Sequence, residues 1–357
     1  MTEVAAQTED PNLAEVRKIV ADLFEHRPMV YWLDLVVSAG VAWTTLMLAI
    51  RQEDWGPATW ALCLVSAFAF LRAVLFIHEI SHFRRGVMPG FAIVWNLIVG
   101  LPMLLPSFMY VGTHTDHHKR HLYGTIRDPE YLPLAHLGRW ATLRFVLEMP
   151  LVPLLLVLRY GLLTPLSWVI PPLRRLVVGK LSALVINPAY DRRPPEGPAA
   201  RAWLLMETLL LAWIAVVASM VASGAWPWRV VLVWYLTAAM VATINQVRTL
   251  VAHHYENDGR ELSTLDQLAD SVNVRGWPFV TELVFPVGLR YHGLHHWLAD
   301  MPYHGLYAAH RRLVVALPPG ATYHRTVYAG VMPVIARLWK KAGQAAGRPD
   351  CWKKKDD

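Results

Sequence analysis

Four stretches of this chain, residues 29–50, 55–77, 203–223 and 230–251, are each apolar over about the 20 residues that a helix needs to cross a bilayer. No other feature restricts the fold as strongly, because backbone polar groups in hydrocarbon must be paired within their own segment. The four stretches pair as two hairpins with short turns. Of the 34 Lys and Arg residues, only Arg51 and Arg229 lie at those turns. Positive charge marks the cytoplasmic side, so both termini and the segment between the hairpins are expected there.

Two further apolar stretches, 90–110 and 150–172, are interrupted. Gly100, Pro102 and Pro106 break the first, and Arg159 and Pro165 break the second. Both are expected to dip into the membrane or lie along it and to return on the same side. The expected architecture is an all-α membrane protein with four transmembrane helices in two hairpins, re-entrant or interfacial helices, and a cytosolic helical cap. Residues 1–28 form an N-terminal cytosolic segment without signal-peptide character, 29–313 the membrane domain, and 314–357 a C-terminal cytosolic segment whose KKKDD end is expected to fray. No internal repeat is visible.

The composition removes several classes. With 55% hydrophobic and 17% charged residues the chain is too apolar for an ordinary soluble domain. Two cysteines can build neither a disulfide framework nor a four-thiolate cluster. The net charge of +7 flanks apolar spans and accompanies no nucleic-acid recognition motif, so membrane topology accounts for it.

Eight of the sixteen histidines fall in three clusters: His78 and His82 in HEISH, His114, His117 and His118 in HTDHH, and His292, His295 and His296 in HGLHH. On a helix, positions i, i+3 and i+4 share a face, so each cluster aims its imidazoles at one point. Packing requires no such arrangement. One ion rarely takes more than six donors, so eight imidazoles point to two metals. If residues 90–110 crossed the bilayer, about 30 Å of hydrocarbon would separate the first cluster from the second, and this supports the re-entrant reading.

HEISH is also a literal HExxH, the zinc-peptidase signature in which Glu79 would be the general base. Such a site uses three protein ligands and leaves most of the clustered histidines without a role. Glu79 lies on a different helix face from His78 and His82 and is read instead as an acceptor that orients an imidazole. Asp116 and Asp128 are assigned the same role, and Asn245 and Arg248 are placed near the site. A ninth ligand comes from His253 or His254, which are about 100° apart on a helix, so only one can face the site. His121 is open between ligand and surface residue. His304 and His310 are read as hydrogen-bonding support, Arg72 as snorkelling to headgroups, and His26, His136 and His324 as isolated.

The three clusters, together with RTLVAHHY (248–255), LRYHGLHH (289–296), MPYHGL (301–306) and YGTIRDPEY (123–131), resemble the membrane-bound fatty acid desaturase family, which also holds hydroxylases. The resemblance runs from about residue 31 to 313. It implies two irons, with zinc able to replace them in overproduced protein, held by His78, His82, His114, His117, His118, His253, His292, His295 and His296. It also implies an integral protein of the bacterial inner membrane acting on a fatty acyl substrate among membrane lipids.

Removing hydrogen from an unactivated methylene is beyond any acid or base side chain and needs metal-activated dioxygen. The expected reaction is O2-dependent acyl desaturation. Hydroxylation, or decarboxylation to a terminal alkene, is the alternative on the same scaffold. The chain has no GxGxxG and no CxxC, so electrons are expected from an external ferredoxin- or rubredoxin-like donor with its reductase, docking on the basic face.

Overall fold

The fold is that of a computed structural model, which describes residues 10–345 and 347–352; the KKKDD end lies outside the described residues. Among the described residues, five helices are long and apolar enough to cross a membrane: Pro28–Arg51, Pro57–His82, Arg139–Val169, Gly197–Ala222 and Arg229–Thr249. Four of them cover the expected spans. The first two open on proline, whose missing N–H costs nothing in a first helical turn. The second does not stop where its apolar run ends at Ile77 but continues to His82 and so carries the HEISH segment beyond the apolar stretch. It packs against both the first and the fifth long helices, around Leu35, Phe70, Phe76 and Trp95.

The two hairpin turns lie together. Arg229, at the start of the fifth long helix, donates to the Asp54 carbonyl at 2.6 Å and stacks over Trp55. All three histidine clusters sit at the opposite end.

Residues 90–110 reverse direction, as the interruptions suggested. The helix Phe91–Trp95 widens to a π-turn over Asn96–Gly100, and the chain then turns back through Leu104, which has φ 57°. Asn96 joins the two limbs: its amide donates to Ala92 O and Ser107 Oγ, and its carbonyl accepts from Ser107 N. Backbone carbonyls exposed by the reversal are capped by indoles of the long helices, Trp43 on Ile98 O and Trp234 on Pro102 O. This pairing is what irregular backbone at membrane depth requires. A Cβ at Gly100 would lie 2.9 Å from Trp95, so the turn needs glycine.

The third long helix, Arg139–Val169, covers the second interrupted stretch and is a finding that the expectation of four spans did not include. A 3-10 turn at Met149–Leu151 and a π-turn at Arg159–Leu163 interrupt it. Both of its flanks reach the histidine-bearing side. Ala135 N bonds to Tyr255 O before it, and Leu184 N to Met109 O and Tyr190 Oη to Asp116 after it. The helix that follows, Pro171–Lys180, has ten residues, or about 15 Å at 1.5 Å per residue, too few to recross a bilayer. Arg159 is buried and donates to Glu207, Ser182 and Leu181 O, while Arg174 reaches the other Glu207 oxygen at 2.7 Å.

Two expectations need correction. Arg72 does not snorkel to headgroups: it binds both Asp34 oxygens at 2.6 Å and reaches Glu282 at 3.1 Å, because opposite charges stand within its reach. The fold is not purely helical either, since Asn273–Val274 pairs in parallel with Val327–Tyr328. That pairing belongs to a layer of short helices over the histidine end. The layer also holds the N-terminal helix Leu13–Ile19, capped by Asn12 and packed on Tyr303–Ala316, and the helix Val331–Ala342, which buries Val334 and Leu338.

Candidate metal centre

His78 and His82 occupy the last two turns of the second long helix. His114 and His117 lie on the short helix Thr113–His117 with His118 as its C-cap, and His292, His295 and His296 lie on His292–Trp297. Asn273 holds this last helix: its side-chain carbonyl accepts from Leu294 N and its amide donates to Thr326. Gly293 permits the approach, since a Cβ there would be 2.9 Å from the Asn273 amide. His253 arrives from just beyond the fifth long helix, in an isolated bridge with Ser271.

These nine histidines form two groups. His78, His82, His114, His118 and His295 make one, and His117, His253, His292 and His296 the other; within each, the candidate ligand atoms lie within 4.8 Å of one another. The groups adjoin, with the rings of His118 and His296 stacked at 4.4 Å. The spacing is informative. Nε2 atoms approach at 3.0 Å for His114 with His118, 3.1 Å for His118 with His295, 3.0 Å for His253 with His292, 3.1 Å for His292 with His296 and 3.2 Å for His117 with His296. Two nitrogens about 2.1 Å from one ion, at bond angles near 90–110°, would be about 3.0–3.4 Å apart. Both ring nitrogens of His78 and Nε2 of His82 are buried without a hydrogen-bond partner among the described residues, which for polar atoms inside a protein calls for a ligand.

The opposite nitrogens are held. His117 Nδ1 meets both Asp128 oxygens at 2.8 and 3.0 Å, and His114 Nδ1 meets Glu130 at 2.8 Å and the Tyr110 hydroxyl at 2.9 Å. His253 Nδ1 meets the Tyr123 hydroxyl at 2.8 Å. That hydroxyl gives its only proton to Asp270, so the imidazole is the donor. Each such contact leaves Nε2 as a bare lone pair facing its group. Burial, with repulsion between neighbouring imidazoles, pushes His114, His118, His253, His292, His295 and His296 well below the usual histidine range, into the neutral, ligating form. Burial acts on His117 in the same direction, but the Asp128 charge and hydrogen bond outweigh it and raise the group. Burial also lifts Glu130 to about 7 and Asp270 to about 6.

The structure sorts the remaining candidates. His254 turns away and bonds to the Tyr328 hydroxyl, and His121 is exposed. His304 accepts from Arg27 N, and His310 pairs with Tyr323. Asp116 reaches no imidazole and is occupied by Lys119 and Tyr190. Asn245 and Arg248 bond to each other, with no imidazole partner among the described residues. Glu79 lies 3.5 Å from His78 Nδ1, but it accepts from the Tyr31 hydroxyl and from Tyr303 N. Its Oε2 is thus taken up by Tyr31 and Tyr303.

Tyr110, Tyr123, Glu130, Tyr131 and Asp270 were not anticipated. Three of them, with Asp128, lie in YGTIRDPEY, where two carboxylates between terminal tyrosines, with Gly124 as a turn residue, were the available signal. Gly124, at φ 69°, turns this segment so that its N–H and that of Glu130 both donate to Asp128.

A model of the fatty acid desaturase family matches residues 55–327. That is more than half of the chain. The chain belongs to the fatty acid desaturase family. It is also 38% identical, over 92% of its own length and 93% of the relative's, to a protein of Caulobacter vibrioides (strain NA1000 / CB15N) described as a ceramide hydroxylase. Desaturases and hydroxylases share this family's histidine-box design, so the chain is an oxidoreductase of desaturase or hydroxylase type in a family known for di-iron sites. All three histidine clusters, and His253, lie inside the matched residues.

Proposed function

We propose that the protein is an O2-dependent di-iron enzyme that oxidises the acyl chain of a membrane lipid, with hydroxylation of a ceramide-type lipid as its reaction. The observation that carries this reading is the pair of adjoining histidine groups, five and four donors, in which the rear nitrogens of His114, His117 and His253 rest on Glu130 and Tyr110, on Asp128 and on Tyr123. The whole-length relative described as a ceramide hydroxylase supports hydroxylation. The family model supports desaturation as the second reading.

Irons held by the two groups would supply dioxygen activation and share the electron load. The protein's own part is to orient His114, His117 and His253 through their rear nitrogens and to exclude bulk water from the imidazoles through burial. Hydroxylation converts C–H, O2, two electrons and two protons into C–OH and water; desaturation of a CH2–CH2 unit with the same inputs gives CH=CH and two waters.

In this reading the chain is an integral protein of the bacterial inner membrane with four spans. The third long helix lies along the interface, and the histidine end and both termini are cytoplasmic. The side-by-side hairpin turns, carrying Arg51 and Arg229 alone of the 34 cations, support this orientation. A ferredoxin- or rubredoxin-like donor supplies the electrons. Lipids of cells expressing the protein, analysed by mass spectrometry, test the reading: hydroxylation adds about 16 mass units, whereas desaturation removes about 2. Unchanged lipids with an iron-loaded protein and a competent donor would overturn it.

A further inference from the structure

The helix Pro278–Val284 exposes large apolar side chains beside the long helices. It packs against the second and fifth long helices, and Glu282 on it reaches Arg72 at 3.1 Å. Arg72 precedes His82 by ten residues, so this contact lies about 15 Å along the second long helix towards the hairpin-turn end. Trp277, the N-cap of this helix, and Phe279 in its first turn are 81% and 77% exposed, and Val280 is exposed beside them. A short helix carrying Trp and Phe on its outer face is the pattern of an element lying in the lipid interface.

Behind this helix is a cavity of about 280 Å³ lined by Glu282, Arg290, Tyr291, Tyr303, His304 and Tyr307. It adjoins the metal centre: Tyr303 N donates to Glu79, the neighbour of His78, and Arg290 and Tyr291 lead directly into His292. The hydroxyls of Tyr291 and Tyr307 have no hydrogen-bond partner among the described residues. The charges that line the cavity balance. Arg290 and Glu282 line it, and Arg72, which pairs with Glu282, is itself paired with Asp34. Arg311, over the Tyr307 ring, and Arg27, whose N–H meets His304, stand beside the cavity but do not line it.

We propose that the helix Pro278–Val284 is a lipid-inserted wedge beside which substrate enters sideways from the bilayer, and that the cavity behind it receives the uncharged, hydroxyl- and amide-bearing headgroup of a membrane lipid. The headgroup role rests on the proposed acyl-chain oxidation, and it selects a neutral lipid over a polyanionic acyl thioester.

The full chain in nanodiscs tests both parts. Phe279→Cys in a Cys351→Ser background carries an environment-sensitive fluorophore, Cys63 being buried. Nitroxide-labelled lipids quench it and aqueous iodide does not; quenching by iodide alone overturns the wedge. Native mass spectrometry then follows retention of ceramide and of acyl-CoA. Ceramide is retained, acyl-CoA is not, and the Tyr291→Phe/Tyr307→Phe double variant, which keeps both rings, weakens ceramide retention about tenfold through two lost hydrogen bonds. Equal ceramide retention in the double variant, or preferential retention of acyl-CoA, overturns the headgroup site. Turnover of the same samples separates the two ideas. Retention that depends on the tyrosines without any oxidised product sinks the function and leaves the site, whereas oxidised ceramide with retention indifferent to the tyrosines does the reverse.

Discussion

Replacing Asp128 with Asn removes a charge without changing shape, at a carboxylate that has no exposed surface. Asp128 accepts from His117 Nδ1, from Gly124 N at 2.7 Å and from Glu130 N at 2.8 Å. Asparagine offers one oxygen for these three donors and turns an NH2 towards at least one of them. The His117 ring loses the contact that keeps its proton on Nδ1, and in the other tautomer Nε2 carries hydrogen and cannot bind metal. Loss of such a supporting carboxylate weakens metal binding about 10–100-fold, or about 1.4–2.8 kcal/mol. Only the four-histidine group contains His117, so the effect is asymmetric. In iron titrations of the apo-protein against a competing chelator, wild type holds two ions and Asp128→Asn holds one at chelator levels that wild type withstands. Asp116→Asn is the matched control; its carboxylate serves Lys119 and Tyr190, so both ions stay. Two ions held by Asp128→Asn with affinity within about twofold of wild type would refute the assignment of His117 as a supported ligand.

The adjacent pair 253 and 254 divides sharply: His253→Ala loses an ion from the four-histidine group, and His254→Gln keeps both, as elemental analysis reads directly. Glu207→Gln leaves the buried Arg159 charge with a neutral partner and lowers stability by about 3 kcal/mol, seen as a lower melting temperature in detergent, with metal content unchanged in the folded fraction. Burial, with the nearby Arg337 charge, pushes His254 down to about 4. Below the ordinary histidine range the unfolded chain therefore takes up a proton that the folded chain refuses, and stability falls as pH drops from about 6.5 towards 4. At pH 5 the metal-free wild type accordingly loses on the order of 1–2 kcal/mol more than His254→Gln, relative to pH 7; parallel pH profiles of the two proteins in chemical denaturation would contradict this.

Four of the five long helices were legible because apolar runs of that length have one solution in lipid, whereas Arg139–Val169 was hidden by Arg159 and Pro165, which interrupt its apolar run without ending the helix. In the second long helix hydropathy stops at Ile77, but its backbone hydrogen bonding carries on to His82. The histidine groups were legible from i, i+3, i+4 spacing. Their support was legible only in part. Asp116 stands two residues from His114, about 200° around the helix, so proximity in sequence turned it away. Asp128 returns through the Gly124 turn, and Asp270 reaches Tyr123 from 147 residues away, a pairing that no local pattern records. The partners of Arg72 and Glu207 were hidden for the same reason: a lone charge in an apolar run shows that it needs compensation, not where compensation stands.

Anomalous diffraction at the iron edge from anaerobically reconstituted protein tests the dinuclear centre most directly. Two peaks are predicted, one among His78, His82, His114, His118 and His295 and the other among His117, His253, His292 and His296. A single peak held by His78, His82 and one further ligand, with nothing beside His117 and His292, would contradict the account.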